Sequence, residues 1–153
     1  MQRFSSVVLV DARGWVLLQE RDEHPAIDPD KWGFVGGHLE AGEDFVTGAY
    51  RELEEETGIR LDDGLELFGV FTVHHAHTAT DDEFGLFVMP TQLTDDDVEC
   101  HEGRQIVFVE PHTSADLDLT AAARIALPQF LGSDHYRRIL STLESTRGGG
   151  RNA

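Results

Sequence analysis

The stretch Gly37-His38-Leu39-Glu40-Ala41-Gly42-Glu43-Asp44-Phe45-Val46-Thr47-Gly48-Ala49-Tyr50-Arg51-Glu52-Leu53-Glu54-Glu55-Glu56-Thr57-Gly58-Ile59 decides how this chain is read. Within it, Phe45, Val46, Ala49, Tyr50 and Leu53 recur at the helical period, which predicts a helix over Asp44–Thr57. Asp44 is suited to the N-cap and Gly58 to the C-terminal stop. On a wheel at about 100° per residue, with Glu52 at zero, Glu55 falls near about −60° and Glu56 near about +40°. Three carboxylates therefore share one arc, while Glu54, about 200° away, faces elsewhere.

Like charges at these spacings destabilise a helix. At ~6 Å and an effective dielectric of ~20, each pair repels by about 3 kcal/mol, and Arg51 is the one compensating charge close by. Such a cluster makes physical sense where divalent cations sit among the oxygens. Mg2+ suits a few carboxylates combined with phosphates and waters. It would neutralise the phosphates and activate or position a water for attack on phosphorus. The alternative is a solvated acidic face, which charge runs commonly produce in a chain with 29 acidic residues. Gly36-Gly37, just ahead of the helix, lets backbone approach a metal or phosphate closely, which favours the site.

Gly37, five residues, Glu43, seven residues and then Arg51-Glu52-Leu53-Glu54-Glu55-Glu56-Thr57-Gly58-Ile59 resembles the Nudix hydrolase signature at every defined position. A chance match in a chain this long is on the order of one in a million. The resemblance implies an α/β fold, an α/β/α sandwich around a central mixed β-sheet. It also implies metal-dependent hydrolysis of a pyrophosphate linkage in a nucleoside diphosphate derivative, releasing a nucleoside monophosphate. By the family pattern Glu52, Glu55 and Glu56 would bind Mg2+, or alternatively Mn2+, and the Gly37 carbonyl is a further candidate ligand. Glu43 would pair with Arg51 and orient the helix. Val35 stands where the family often has proline, which removes no ligand.

Family members often recruit one more acidic residue as metal ligand or general base. The acidic loop Asp95–Gly103 offers Glu102, favoured because Gly103 permits a sharp approach, with Glu99 second; an exposed acidic loop is the alternative. Phe4, Trp32 and Phe34 could stack on a base, although aromatics on strands are usually core. Arg21 could contact a phosphate or form a surface ion pair. His74, His75 and His77 suggest substrate contact by His75 more than a transition-metal site, which would need further ligands at defined geometry. The downstream markers of ADP-ribose and dinucleoside polyphosphate hydrolases are absent around His74-His75-Ala76-His77, so the reading leans towards a nucleoside triphosphate or nucleotide sugar. A non-catalytic nucleotide-binding or regulatory Nudix domain is the rival, and the intact Glu52, Glu55 and Glu56 argue against it. Prenyl diphosphate isomerisation is set aside, because Cys100 lies in an acidic loop that disfavours a thiolate.

Working outward, Arg3–Asp11, Trp15–Glu20, Trp32–Val35, Leu65–Val73, Phe84–Met89 and Gln105–Glu110 read as strands, with Asp81-Asp82-Glu83 in a polar loop. Thr120–Leu127 reads as a helix that Pro128 ends or kinks, and Ser133 as the cap of a last helix. The expected organisation is a single domain over residues 1–145 and a mobile tail over 146–153. The 153 residues carry a net charge of −17, which repels long nucleic acid and leaves a small nucleotide-like substrate as the expected partner. No apolar run approaches a membrane span, and no signal peptide is evident, so no membrane partner and a cytoplasmic location are expected. One cysteine allows no intramolecular disulfide, which fits that compartment. The oligomeric state is left open, a homodimer included.

Overall fold

The computed structural model describes residues 1–25, 28–75 and 79–151, the last six of these as backbone only. His77 therefore lies outside the described residues, as do Asn152 and Ala153 of the expected tail. In chain order the elements are β1 (Arg3–Val10), β2 (Val16–Glu20), β3 (Trp32–Gly33), β4 (Val35–His38), α1 (Phe45–Thr57), β5 (Glu66–His75), β6 (Thr80–Pro90), a 3-10 turn (Asp95–Asp97), β7 (Gln105–Val109), α2 (Pro111–Ser114), α3 (Ala121–Leu131) and α4 (Asp134–Arg151).

The sheet is mixed. β1 runs parallel to β6, from Arg3 opposite Glu83 to Val10 opposite Pro90. β5 adds to β6 antiparallel, and β4 pairs antiparallel with the first half of β1. β2, β3 and β7 form an antiparallel group joined to β1 through the Val10–Val16 pair. Ser5 to Val10 are buried without interruption, as a strand covered on both faces requires. On one face Val7, Leu9, Leu17, Val35, Phe87 and Phe108 meet Ala49 and Leu53 of α1. On the other, Val8, Leu18, Phe34, Val73, Phe84 and Leu86 meet Phe130 of α3 and Tyr136, Ile139 and Leu143 of α4. This is the expected α/β/α arrangement.

Several boundaries differ from the sequence reading. Trp32–Val35 is two strands, because Trp32-Gly33 pairs with β2 while Val35–His38 pairs with β1. The acidic segment Asp81-Asp82-Glu83 belongs to β6, held there by the ladder to β5 and by the pairs His74–Asp81 at 2.7 Å and His75–Asp82 at 3.2 Å. α3 continues through Pro128 to Leu131, and α4 runs to Arg151, through backbone expected to form the tail. Val46, expected on the apolar stripe, is exposed, while Ala49 and Leu53 are buried.

Candidate active site

α1 begins where Asp44, in extended conformation, accepts a 2.9 Å hydrogen bond from the Thr47 amide, and it stops at Gly58 in the left-handed region. Packing Ala49 and Leu53 onto the sheet fixes the helix rotation, and that rotation turns Glu52 and Glu56 inward. Glu54 and Glu55 are exposed.

Gly36 and Gly37 pass directly in front of these carboxylates. The Gly36 amide donates to Glu56 Oε2 at 3.1 Å. A Cβ on Gly36 would lie 2.0 Å from the Ser5 carbonyl oxygen, so the strand pairing there requires glycine, and a Cβ on Gly37 would lie 2.6 Å from Glu52 Oε1 and displace that carboxyl. Glu102 reaches the same place from the loop before β7, its carboxyl on the cavity wall close enough to Glu56 to act on it electrostatically. Its backbone is held by Gln19, whose Nε2 donates to the Glu102 carbonyl at 2.8 Å.

Arg51 organises the outer side of the cluster. Its Nε and Nη2 each donate to Glu43 at 2.8 Å, Nη1 donates to Glu52 Oε1 at 2.8 Å and Glu55 Oε2 at 3.1 Å, and Nη2 also reaches the His38 carbonyl at 3.0 Å. This fork holds the Glu43 carboxyl down at about 2. Glu56 behaves oppositely. Burial pushes its carboxyl up to about 9, with the adjacent Glu102 adding to the effect and the Gly36 amide opposing it. Burial also raises Glu52, against the lowering influence of Arg51.

A cavity of about 280 Å3 opens over Glu52, Glu56 and Glu102. Phe4 and Phe34 line it, as do Arg21, Gly37 and His75. Phe4 stacks on Phe84 with ring centroids 5.0 Å apart. Arg21, Asp22, Pro25 and Asp28 form another wall, and the Ala121 amide donates to Asp28 Oδ2 at 2.9 Å. Trp32, an expected substrate contact, is not on the cavity wall; it packs against the core beneath α3 and bridges to Leu119. Glu55 also stands outside the wall, linked to Glu52 through Arg51. The structure thus brings together Phe4, Arg21, Gly37, Glu52, Glu56, His75 and Glu102.

The sequence reading missed Gln19, although a polar residue following Leu17 and Leu18 and only 4% exposed marks a buried polar contact. It also missed Asp82, the buried partner of His75, whose Oδ1 accepts from the Gln2 amide. Asp22, Glu23 and His24 bring potential ligand atoms within 4.8 Å of one another. Glu23 and His24 are exposed, and Glu23 is bonded to Arg104 at 3.1 Å, so this group has an ordinary ion-pair explanation.

Glu52, Glu56 and Glu102 suit a hard divalent cation. They are oxygen donors, two of them buried, with Glu56 held above its ordinary range by burial and by its acidic neighbours. The glycine backbone beside them leaves room that a side chain would fill.

Residues 2–130 match the family model of the NUDIX domain. An RNA pyrophosphohydrolase of Rhodospirillum rubrum is 41% identical over 54 residues, covering 35% of this chain and 30% of that protein. The m7GpppN-mRNA hydrolase NUDT17 of Xenopus laevis is 48% identical over 46 residues, covering 30% of this chain and 16% of that protein. The matched segment thus spans less than a third of either relative. A MutT NUDIX hydrolase from Burkholderia pseudomallei superimposes with a TM-score of 0.69 at 23% identity, covering 84% of this chain and 96% of that one.

Proposed function

The chain belongs to the Nudix family, and from that premise we propose that it is a metal-dependent pyrophosphohydrolase acting on a small nucleoside diphosphate derivative. The observation that carries this reading is the convergence of Glu52, Glu56 and Glu102 on one cavity in front of Gly36-Gly37. These carboxylates and the Gly37 carbonyl would hold Mg2+ or Mn2+, which would supply charge neutralisation and water activation.

The protein's own groups do the rest. Arg51, gripping Glu43, fixes Glu52 and ties Glu55 to it, and so sets the outer edge of the carboxylate cluster. Glu102, on the cavity wall with Glu56, would take a proton from the attacking water, through the carboxylate oxygen that the cation leaves free, as the water oxygen bonds to phosphorus. The bond from that phosphorus to the bridging oxygen breaks, and a nucleoside monophosphate is one product. Phe4 and Phe34 offer an apolar surface for a base, and Arg21 and His75 offer polar contacts beside it.

The named relatives act on RNA ends, but a net charge of −17 disfavours a long polyphosphate strand. A small substrate such as a nucleoside triphosphate or nucleotide sugar fits the charge and the cavity of about 280 Å3 better. The test is a hydrolysis screen in Mg2+ or Mn2+ over nucleoside triphosphates, nucleotide sugars and 5′-triphosphorylated RNA, with the attacked phosphorus located in 18O water. Release of nucleoside monophosphate from a small pyrophosphate compound is expected. Cleavage of p-nitrophenyl phosphate with every pyrophosphate untouched would overturn the reading, and tight nucleotide binding without turnover would favour a regulatory domain.

A further inference from the structure

The loop that carries Glu102 is fastened to the end of α1. The Glu99 amide donates to the Thr57 carbonyl at 3.0 Å, and the His101 amide donates to the Glu56 carbonyl at 2.9 Å. His101 Nδ1 lies 2.6 Å from the Glu55 carbonyl, and since a carbonyl only accepts, Nδ1 carries the hydrogen. The Gly58 amide meets the Glu54 carbonyl at 2.8 Å. The last four carbonyls of a helix have no partner within it. Here Glu54, Glu55, Glu56 and Thr57 each receive a donor, and for Glu55 that donor is a side chain.

The consequence reaches the cavity. His101 directly precedes Glu102, which lines the cavity together with Glu56 in the last turn of α1. Beyond Glu102, Gln19 holds the Glu102 carbonyl and the Arg104 amide donates to the Glu20 carbonyl at 2.8 Å. The loop is therefore pinned on both sides of Glu102, to β2 after it and to α1 before it. Glu99, whose Oε1 is 3.4 Å from His101 Nε2, supports the ring from the solvent side.

We propose that His101 is a positioning residue, whose Nδ1–H fastens the Glu102 loop to the last turn of α1 and so holds the Glu102 carboxyl against Glu56. This rests on the active-site reading above. An imidazole is suited to the task because it reaches the carbonyl with a short, rigid side chain. It also places a donor at the negative end of the helix dipole.

The experiment compares His101→Ala, His101→Asn and His101→Gln. Asparagine puts its amide nitrogen where Nδ1 stands, whereas glutamine puts it where Nε2 stands. Turnover is measured on the best substrate of the screen, and Mn2+ binding without substrate is measured by calorimetry. His101→Ala and His101→Gln are expected to lower kcat about tenfold, as loss of a residue supporting a ligand does, and to weaken Mn2+ binding. KM should stay within about twofold, and His101→Asn should recover most of both losses. In a Glu102→Gln background, His101→Ala should add little, because it acts through Glu102. Unchanged kcat and Mn2+ affinity in His101→Ala, equal losses in the asparagine and glutamine variants, or full additivity with Glu102→Gln would overturn the proposal. If His101→Ala fails to fold, the contrast between asparagine and glutamine decides. Should the wild-type protein hydrolyse no pyrophosphate, the functional reading fails while the Mn2+ measurements still test the clamp.

Discussion

Arg51 and Glu43 are joined by two parallel 2.8 Å hydrogen bonds, and the remaining nitrogen of the same guanidinium lies 2.8 Å from Glu52 Oε1. A lysine ammonium cannot make that fork and hold Glu52 at once. Arg51→Lys is expected to lower kcat about tenfold or more. Glu43→Gln should do the same, and the double variant should lose little beyond either one. Steady-state kinetics on the three proteins measure this, and independent losses from the two sites would contradict the linkage.

Activity should require a divalent cation and should depend on Glu56 far more than on Glu54. Glu56 is buried under Gly36, whereas Glu54 is exposed on the far side of α1. Glu56→Gln is expected to cost on the order of 10²–10⁴ in turnover, comparable to removing a principal catalytic group. Glu54→Gln should leave turnover within a few fold. Full rate in EDTA, or equal damage from the two variants, would remove the basis for the metal site.

The pH dependence of stability follows from Glu56 and Glu43 with opposite signs. Glu56 is raised from about 4.5 to about 9, so without metal its contribution is complete below its unfolded value and is lost as pH rises through about 9. Glu43 is lowered to about 2, so its contribution is present above about 4.5 and is lost as pH falls through about 2. Thermal melts in EDTA should therefore show Tm falling between about pH 5 and pH 9. Glu56→Gln should flatten that limb, and Mn2+ should restore stability at the alkaline end by favouring the ionised carboxylates. A Tm rising over this range in EDTA would contradict the assignment.

Glu102 and Asp96 belong to one acidic stretch but serve different surroundings. Glu102 meets Glu56 in the cavity, whereas Asp96 lies in the 3-10 turn beside a surface depression lined by Asp11 and Arg13. Glu102→Gln should impair kcat at least tenfold more than Asp96→Asn, in keeping with loss of a general base. Negligible effects from both would place the base elsewhere, with His75 the next candidate on the cavity wall.

Much of the helix was readable locally. Its start at Asp44, its stop at Gly58 and the separation of Glu54 from Glu52 and Glu56 follow from capping and from a 100° step, and the structure shows each. The outer position of Glu55 was not readable. A wheel places residues relative to one another but does not say which part of an arc the sheet will bury, and packing through Leu53 and Ala49 turned Glu55 out. Which of the two roles open to Trp32, base contact or core, the fold favours was not readable for a similar reason, because nothing local tells which face of a two-residue strand meets a cavity.

The sequence by itself determined the family, the helix with its glycine approach, and the clustering of Glu52 and Glu56 on one arc of that helix. Those are short-range features, fixed by side-chain chemistry and spacing within about 23 residues. Only the tertiary structure decided that Glu102 meets Glu56, that Gln19 and His101 hold its loop, and that Asp82 stands behind His75. Each of those contacts joins different elements, and no periodicity along the chain encodes which elements fold against one another. They arise when β1 pairs with β4 and β6 and when the loop before β7 closes over the end of α1. That closure gives the buried Glu56 the Gly36 amide as a donor and brings Glu102 onto the same cavity, a long-range step that turns an acidic helix into a candidate site.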